Sequence, residues 1–188
     1  FIYRAGYKPP VQIDMIFLLY LLSRSQKDDW SEVIEISRFE MLQSCDVGTS
    51  TYWYGRLEDS LERWKMVGIK FHGTFYDGKK YLTMNFGIID SWELNEDTKK
   101  LRIRFSPEWL LHVQKSNYFK LIDFSQMKSL RSPLATRLYE ILVKTFQGRE
   151  EWQIDAVKLA AKIPMKEEHP AHIIPKIRCV ILTESEQS

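Results

Sequence analysis

The strongest constraint on this chain is that part of it occurs twice. "VIEISRFEMLQSC" (residues 33–45) and "WQIDAVKLAAKIPM" (residues 152–165) share an alternating start, a capping residue and an apolar helical run. Ile36-Ser37 corresponds to Ile154-Asp155, Met41-Leu42 to Leu159-Ala160 and, upstream, Tyr20 to Tyr139, all at an offset of 118–119 residues. A duplicated unit fixes the architecture before any single element does. The first copy reads as a helix through Ile16–Leu22, a strand at Val33–Ile36, a capped helix at Ser37–Gln43, a turn, a helix at Ser50–Met66 and then hairpin strands. The second reads as a helix at Leu134–Phe146, a strand at Trp152–Ile154, a capped helix at Asp155–Ile163 and a turn. This is the order of a winged helix-turn-helix. The expected fold is α+β, two tandem winged helix-turn-helix domains over residues 1–124 and 125–188, the second stopping short of its wing.

Local signals support these elements. Gln12–Arg24 is apolar nearly all round, which predicts a buried helix. Ser37 with Glu40 three residues later predicts a capping box. Asp46-Val47-Gly48 predicts a turn, with Gly48 able to take positive φ, and Thr49 or Ser50 the next cap. Tyr54, Leu57, Leu61 and Trp64 recur at helical spacing. Tyr76–Lys79 and Asn95–Lys99 predict hairpin turns between alternating runs. Ser106-Pro107 opens a helix to Gln114, and Tyr118–Ile122 predicts a short strand. Val157, Leu159, Ala160 and Ile163 form the expected buried face of the repeated helix. Pro170 and Pro175 lie five residues apart, so the following helix is expected to begin near Ile173–Ile174, with Pro175 in its first turn.

Several function classes find no support in these residues. The longest apolar run, Met15–Leu22, is too short to span a bilayer. Asp14 precedes it and no small-residue cleavage site follows, unlike a signal peptide. The chain opens at Phe1, which points to sequence upstream of it. Cys45 and Cys179 are isolated and suit a reducing cytoplasm. His169 and His172 flank Pro170 and lack the four-ligand set of a zinc site. There is no phosphate-binding G-x-x-x-x-G-K-[ST] and no G-x-S-x-G nucleophile motif. The expectation is a protein without catalytic residues, metal or cofactor.

Nucleic-acid binding follows from geometry and charge. A helix-turn-helix places its second helix in the major groove. Residues 1–97 carry 11 Lys and Arg against 15 Asp and Glu, whereas residues 98–188 carry 16 against 10, which points to a C-terminal polyanion-binding surface. Lys158, Lys162 and Lys166 surround the second turn, with His172, Lys176 and Arg178 just beyond. Arg131, Ser132 and Arg137 mark the start of the Leu134–Phe146 helix, a natural phosphate clamp. Ser50, Thr51, Tyr52 and Arg56 open the corresponding helix of the first copy, but Glu58, Asp59 and Glu62 follow, so that helix reads first as a scaffold or protein-contact module and only second as an accessory DNA contact.

At residues 127–142 the chain reads "MKSLRSPLATRLYEIL", and "LRIRFSPEWLLHV" precedes "NYFKLIDFSQM" upstream of it. These segments resemble the plasmid replication initiators, in which a Leu-Lys-Ser segment leads into a helix carrying R-L-Y-E-[IL]-L. The resemblance runs over about residues 10–178. It implies two winged-helix domains, binding to direct repeats (iterons) of double-stranded plasmid-origin DNA, a homodimer–monomer switch through the N-terminal domain, host replication proteins as partners and a bacterial, cytoplasmic, plasmid-associated location. By position it puts the main recognition helix on His172–Leu182 and phosphate contacts near Lys128, Arg131 and Arg137. The family continues into wing strands through an E-I-N segment, where this chain reads "CVILTESEQS". A winged-helix transcriptional regulator and a protein–protein scaffold are the alternatives.

Overall fold

The computed structural model describes residues 2–5, 8–76, 80–115, 122–130, 132–146, 151–163, 165 and 169–185. The chain divides into two compact units, Phe1–Phe119 and Lys120–Ser188, five residues before the expected boundary.

The first unit contains β1 (Ile2–Ala5), α1 (Gln12–Lys27), β2 (Val33–Ser37), α2 (Arg38–Ser44), α3 (Thr51–Lys65), β3 (Val67–Tyr76), β4 (Tyr81–Gly87), β5 (Ile89–Leu94), β6 (Lys100–Phe105) and α4 (Pro107–Lys115). Two antiparallel three-stranded sheets form, in the orders β1-β3-β4 and β2-β6-β5. β6 shows the period-two pattern of a half-buried strand: Leu101, Ile103 and Phe105 are buried, while Lys100, Arg102 and Arg104 are exposed. Its register sets Ile103 opposite Ile34 and Leu101 opposite Ile36, so both strands present their apolar side to the helices. Phe17 and Leu21 of α1, Met41 and Leu42 of α2, and Leu57 and Leu61 of α3 complete this core.

α1 is not apolar all round. Asp14 is fully buried in it. Its Oδ2 accepts from the Val11 backbone N–H (2.8 Å) and from Arg63 of α3 (2.9 Å). Arg56 Nη2 lies 2.8 Å from Oδ1 but off the line a hydrogen bond requires, so its attraction is chiefly coulombic. The Trp64 indole N–H donates to the Asp14 carbonyl at 2.7 Å. One carboxylate thus fixes the start of α1 against α3.

Three turn signals resolve differently from expectation. Ser37 Oγ accepts from the Glu40 N–H at 3.0 Å, but the Glu40 carboxylate bonds Arg24 of α1, so the capping box is half made. The left-handed residue after α2 is Asp46 (φ 56°) and not Gly48. Gly48 has another reason to be glycine: a Cβ there would stand 2.8 Å from Cδ1 of Trp53. Ser50 occupies the N-cap position of α3 without a side-chain bond. The Asn95–Lys99 turn forms as expected, with the Asn95 side chain accepting from the Asp97 and Thr98 N–H groups.

The second unit contains α5 (Phe124–Ser129), α6 (Pro133–Thr145), α7 (Ala156–Ala160) and α8 (Pro170–Ser185). Asp123, Ser132 and Asp155 cap the first three, each accepting from backbone N–H groups of the first turn. Leu134, Leu138 and Ile141 of α6 pack with Leu159 and Ile163, and Ile177 and Val180 of α8 lie against this cluster.

Trp152–Ile154 is not a strand. Trp152 and Ile154 still pack on the core, which accounts for their alternation. A strand needs a hydrogen-bonded neighbour. β2, its counterpart, has β6, and among the described residues the second unit has no strand. Val157 is 44% exposed, unlike its three expected core companions. The expected strand at Tyr118–Ile122 falls outside the described residues, except for Ile122, which is in no strand.

α8 starts earlier than expected. Pro170 takes the first-turn position, and Pro175 lies inside the helix. The His169 carbonyl accepts from the Ile173 N–H, and its ring Nδ1 accepts from the Ala171 N–H at 3.2 Å.

Candidate nucleic-acid interface

α7 and α8 form two consecutive helices of the second unit, α8 seated on the core by fully buried Ile173 and by Ile177 and Val180. At about 100° per residue these three make one stripe of the helix. His172, Lys176, Cys179 and Thr183 make a second stripe, all exposed. Ile174, Arg178, Ile181 and Leu182 make a third, which lines an apolar groove with Ile154, Ala156 and Leu159. Lys176 and Arg178 therefore do not share a face. They stand about 160° apart around the helix, and Arg178 belongs to the groove. Cys179 and Thr183 share the stripe with Lys176 by helical spacing, and the start of α8 at Pro170 adds His172 to it.

The remaining cations divide the same way. Lys158 on α7 and Lys162 in the following turn are exposed. Lys128 is half-buried, its ammonium 5.2 Å from the centre of the Phe124 ring. Arg131 and Lys166 lie outside the described residues. The Arg137 guanidinium is engaged: Nε donates to the Lys162 carbonyl (3.0 Å) and Nη1 to Glu140 (2.6 Å). Its neighbour Tyr139 accepts, through its hydroxyl oxygen, the N–H of Asp123, the cap of α5 (3.1 Å). Leu138 is in the core. Every residue of the R-L-Y-E segment thus joins α6 to another part of its own unit or to its own helix.

In the first unit, Ser50, Thr51 and Tyr52 are exposed at the start of α3, with the Tyr52 ring edge-on to Trp53 at 5.4 Å. Arg56 is not available to DNA, because it points inward to Asp14 and is 13% exposed. One acidic charge of α3 is offset, because Glu58 pairs with Arg38, while Glu62 keeps its charge and accepts from the Trp92 indole.

The charge asymmetry between the halves has a simple origin. Divided by structural unit, the chain carries 16 Lys and Arg against 16 Asp and Glu in residues 1–119, and 11 against 9 in residues 120–188. The cations at residues 99–104 that made the second half basic belong to the first unit's β5–β6 hairpin. There Lys99 pairs with Glu96, and Arg102 pairs with Glu35 and Glu93. What distinguishes the second unit is arrangement. Asp123 and Asp155 are helix caps and Glu140 holds Arg137, leaving cations as the exposed charges from Lys158 to Arg178 among the described residues. No group of three or more metal-ligating side chains occurs among those residues, and no described helix is long and apolar enough to cross a membrane.

Residues 11–173 match the family described as RPA, Replication initiator protein A. The chain belongs to this family. A curated protein of Wigglesworthia glossinidia brevipalpis, named "Putative replication protein", is 30% identical over 137 residues, covering 70% of this chain. The chain spans about half (49%) of that relative's length. Among solved structures, domains 2 and 3 of RctB resemble it with a TM-score of 0.61 at 13% identity, over 94% of this chain and 70% of the other. A second structure of the same RctB domains gives 0.56 at 12% identity, over 93% and 69%. At such identities the likeness is one of fold. The replication initiator protein A family is the type of protein that the R-L-Y-E segment had suggested.

Proposed function

We propose that this replication initiator protein A chain is the DNA-binding part of a plasmid replication initiator and acts without catalysis. In this reading both units are winged helix-turn-helix domains, and the second sets α8 in the major groove of direct repeats at a plasmid origin. His172, Lys176, Cys179 and Thr183 face the base edges. Lys158, Lys162, Lys166, Lys128 and Arg131 supply phosphate contacts. The first unit serves homodimer–monomer control, with Ser50, Thr51 and Tyr52 as an accessory DNA contact, and host replication proteins are recruited to the assembled origin.

The observation that carries the reading is the exposed stripe on α8, about a quarter turn around the helix from Ile173, Ile177 and Val180, which seat it on the core. Its length, from His172 to Thr183, is about 16 Å at 1.5 Å per residue, enough to follow the groove across several base pairs. Binding is tested by titrating the protein with repeat-bearing and random duplexes across a salt series. The expected result is preference for the repeats and a steep fall of log K with log salt, about 0.9 per phosphate contacted. Absence of salt-sensitive binding to either duplex would reject the DNA reading and favour a protein–protein scaffold.

A further inference from the structure

We propose that Arg137 is a positioning residue for α8 and not a phosphate contact. This rests on the reading of α8 as the DNA-reading helix. α7 is only five residues long, and the turn after it takes up its last carbonyls, with Val157, Leu159 and Ala160 accepting from the Ala161, Lys162 and Ile163 N–H groups. The Lys162 carbonyl, two residues past the end of α7, accepts from Arg137 Nε across 25 residues of sequence (3.0 Å). A guanidinium at a helix C-terminus satisfies an orphan carbonyl and complements the negative end of the dipole. Glu140, one turn along α6, holds the same guanidinium by Nη1 (2.6 Å) and so fixes its plane.

The bond falls where the chain leaves α7. Ile163, the next residue, is buried in the core, and the segment beyond it leads to α8. Arg137 is half exposed (50%), so its charge pair with Glu140 contributes little by itself. The backbone bond acts differently: it ties one end of the α7–α8 connection to α6. Lysine cannot replace it, because a single ammonium does not reproduce a planar fork holding two acceptors.

The test separates a brace from a clamp. Arg137→Ala, Arg137→Lys and Glu140→Gln are compared with the unmodified chain by amide hydrogen exchange and by DNA binding across salt. A brace predicts at least tenfold faster exchange at Ile163 and along α8 in Arg137→Ala, with α1 and α3 unchanged as a control for folding. It predicts loss of the preference for repeats over random duplex in both Arg137 variants, with the slope of log K against log salt retained. A clamp predicts a slope smaller in magnitude by about 0.9, near-normal binding by Arg137→Lys and tighter binding by Glu140→Gln, whose arginine is released. Unchanged exchange in α8, or this clamp pattern, would overturn the proposal. If the unmodified chain binds no DNA, the parent reading fails, while the exchange measurement still decides whether Arg137 holds α8.

Discussion

Asp14 is the residue on which the first unit turns. It sits in a largely apolar helix, α1, and is fully buried, with Arg63 and Arg56 as counter-charges. Sequence periodicity registers it as a blemish in an apolar surface, since nothing local indicates that two arginines 42 and 49 residues away close on it. A buried carboxylate is tolerable only when its charge is compensated. Asp14→Ala removes that compensation for two guanidinium groups that are themselves mostly buried. The expected loss of stability is about 3–5 kcal/mol, read by urea denaturation of the first unit's fluorescence. A loss under 1 kcal/mol would mean that Arg56 and Arg63 find water instead. Gly48 shows the same limit in reverse. The sequence marks the position correctly, but its cause is the Trp53 ring above it and not a left-handed turn.

At the scale of elements, the sequence locates helices well where a cap and an apolar stripe agree, as in α2, α6 and α7. It fails where one residue supports two readings. Pro170 and Pro175 are the clearest example: either can open a helix, and the sequence favoured the second. The structure uses the first and carries the other inside α8, where it leaves the Ala171 carbonyl without its usual donor. Pro175→Ala should restore that bond and stabilise α8 by about 1–3 kcal/mol. Slower amide exchange in the residues after position 175 is the expected signature, and faster exchange would show that the proline is needed for the helix's present path. Trp152–Ile154 illustrates the other failure. Alternation reports which side chains are buried, and both a strand and an extended segment satisfy it. Only a neighbouring strand decides, and β6 supplies one for β2 alone.

At the scale of the molecule, the exposed stripe of α8 gives the sharpest prediction about recognition. Lys176 is on the outward stripe and Arg178 on the groove side, so their substitutions should separate. Lys176→Ala is expected to lower affinity for repeats by about tenfold, or about 1.4 kcal/mol, within the range of a base contact, and to alter sequence preference. Arg178→Ala should leave preference unchanged. Equal effects from the two, measured as the ratio of repeat to random binding, would place a different face of α8 against DNA. The net charge of the halves could not have supported this distinction, because the cations that skewed it belong to the first unit's β5–β6 hairpin, where Lys99 and Arg102 are held in ion pairs.

By itself the sequence determined most of the helices and their order, the repeated cap-helix pattern at Ser37 and Asp155, and the family to which the chain belongs. These depend on neighbours a few residues apart or on short motifs, and local chemistry is written directly into sequence. Tertiary structure alone decided that Asp14 collects two distant arginines, that Arg56 is turned inward and that Arg137 closes onto Lys162. It also decided that Lys176 and Arg178 face different ways, because that depends on where α8 begins and which side the core takes. Long-range contacts are chosen by packing many elements at once, and no window of the sequence contains them.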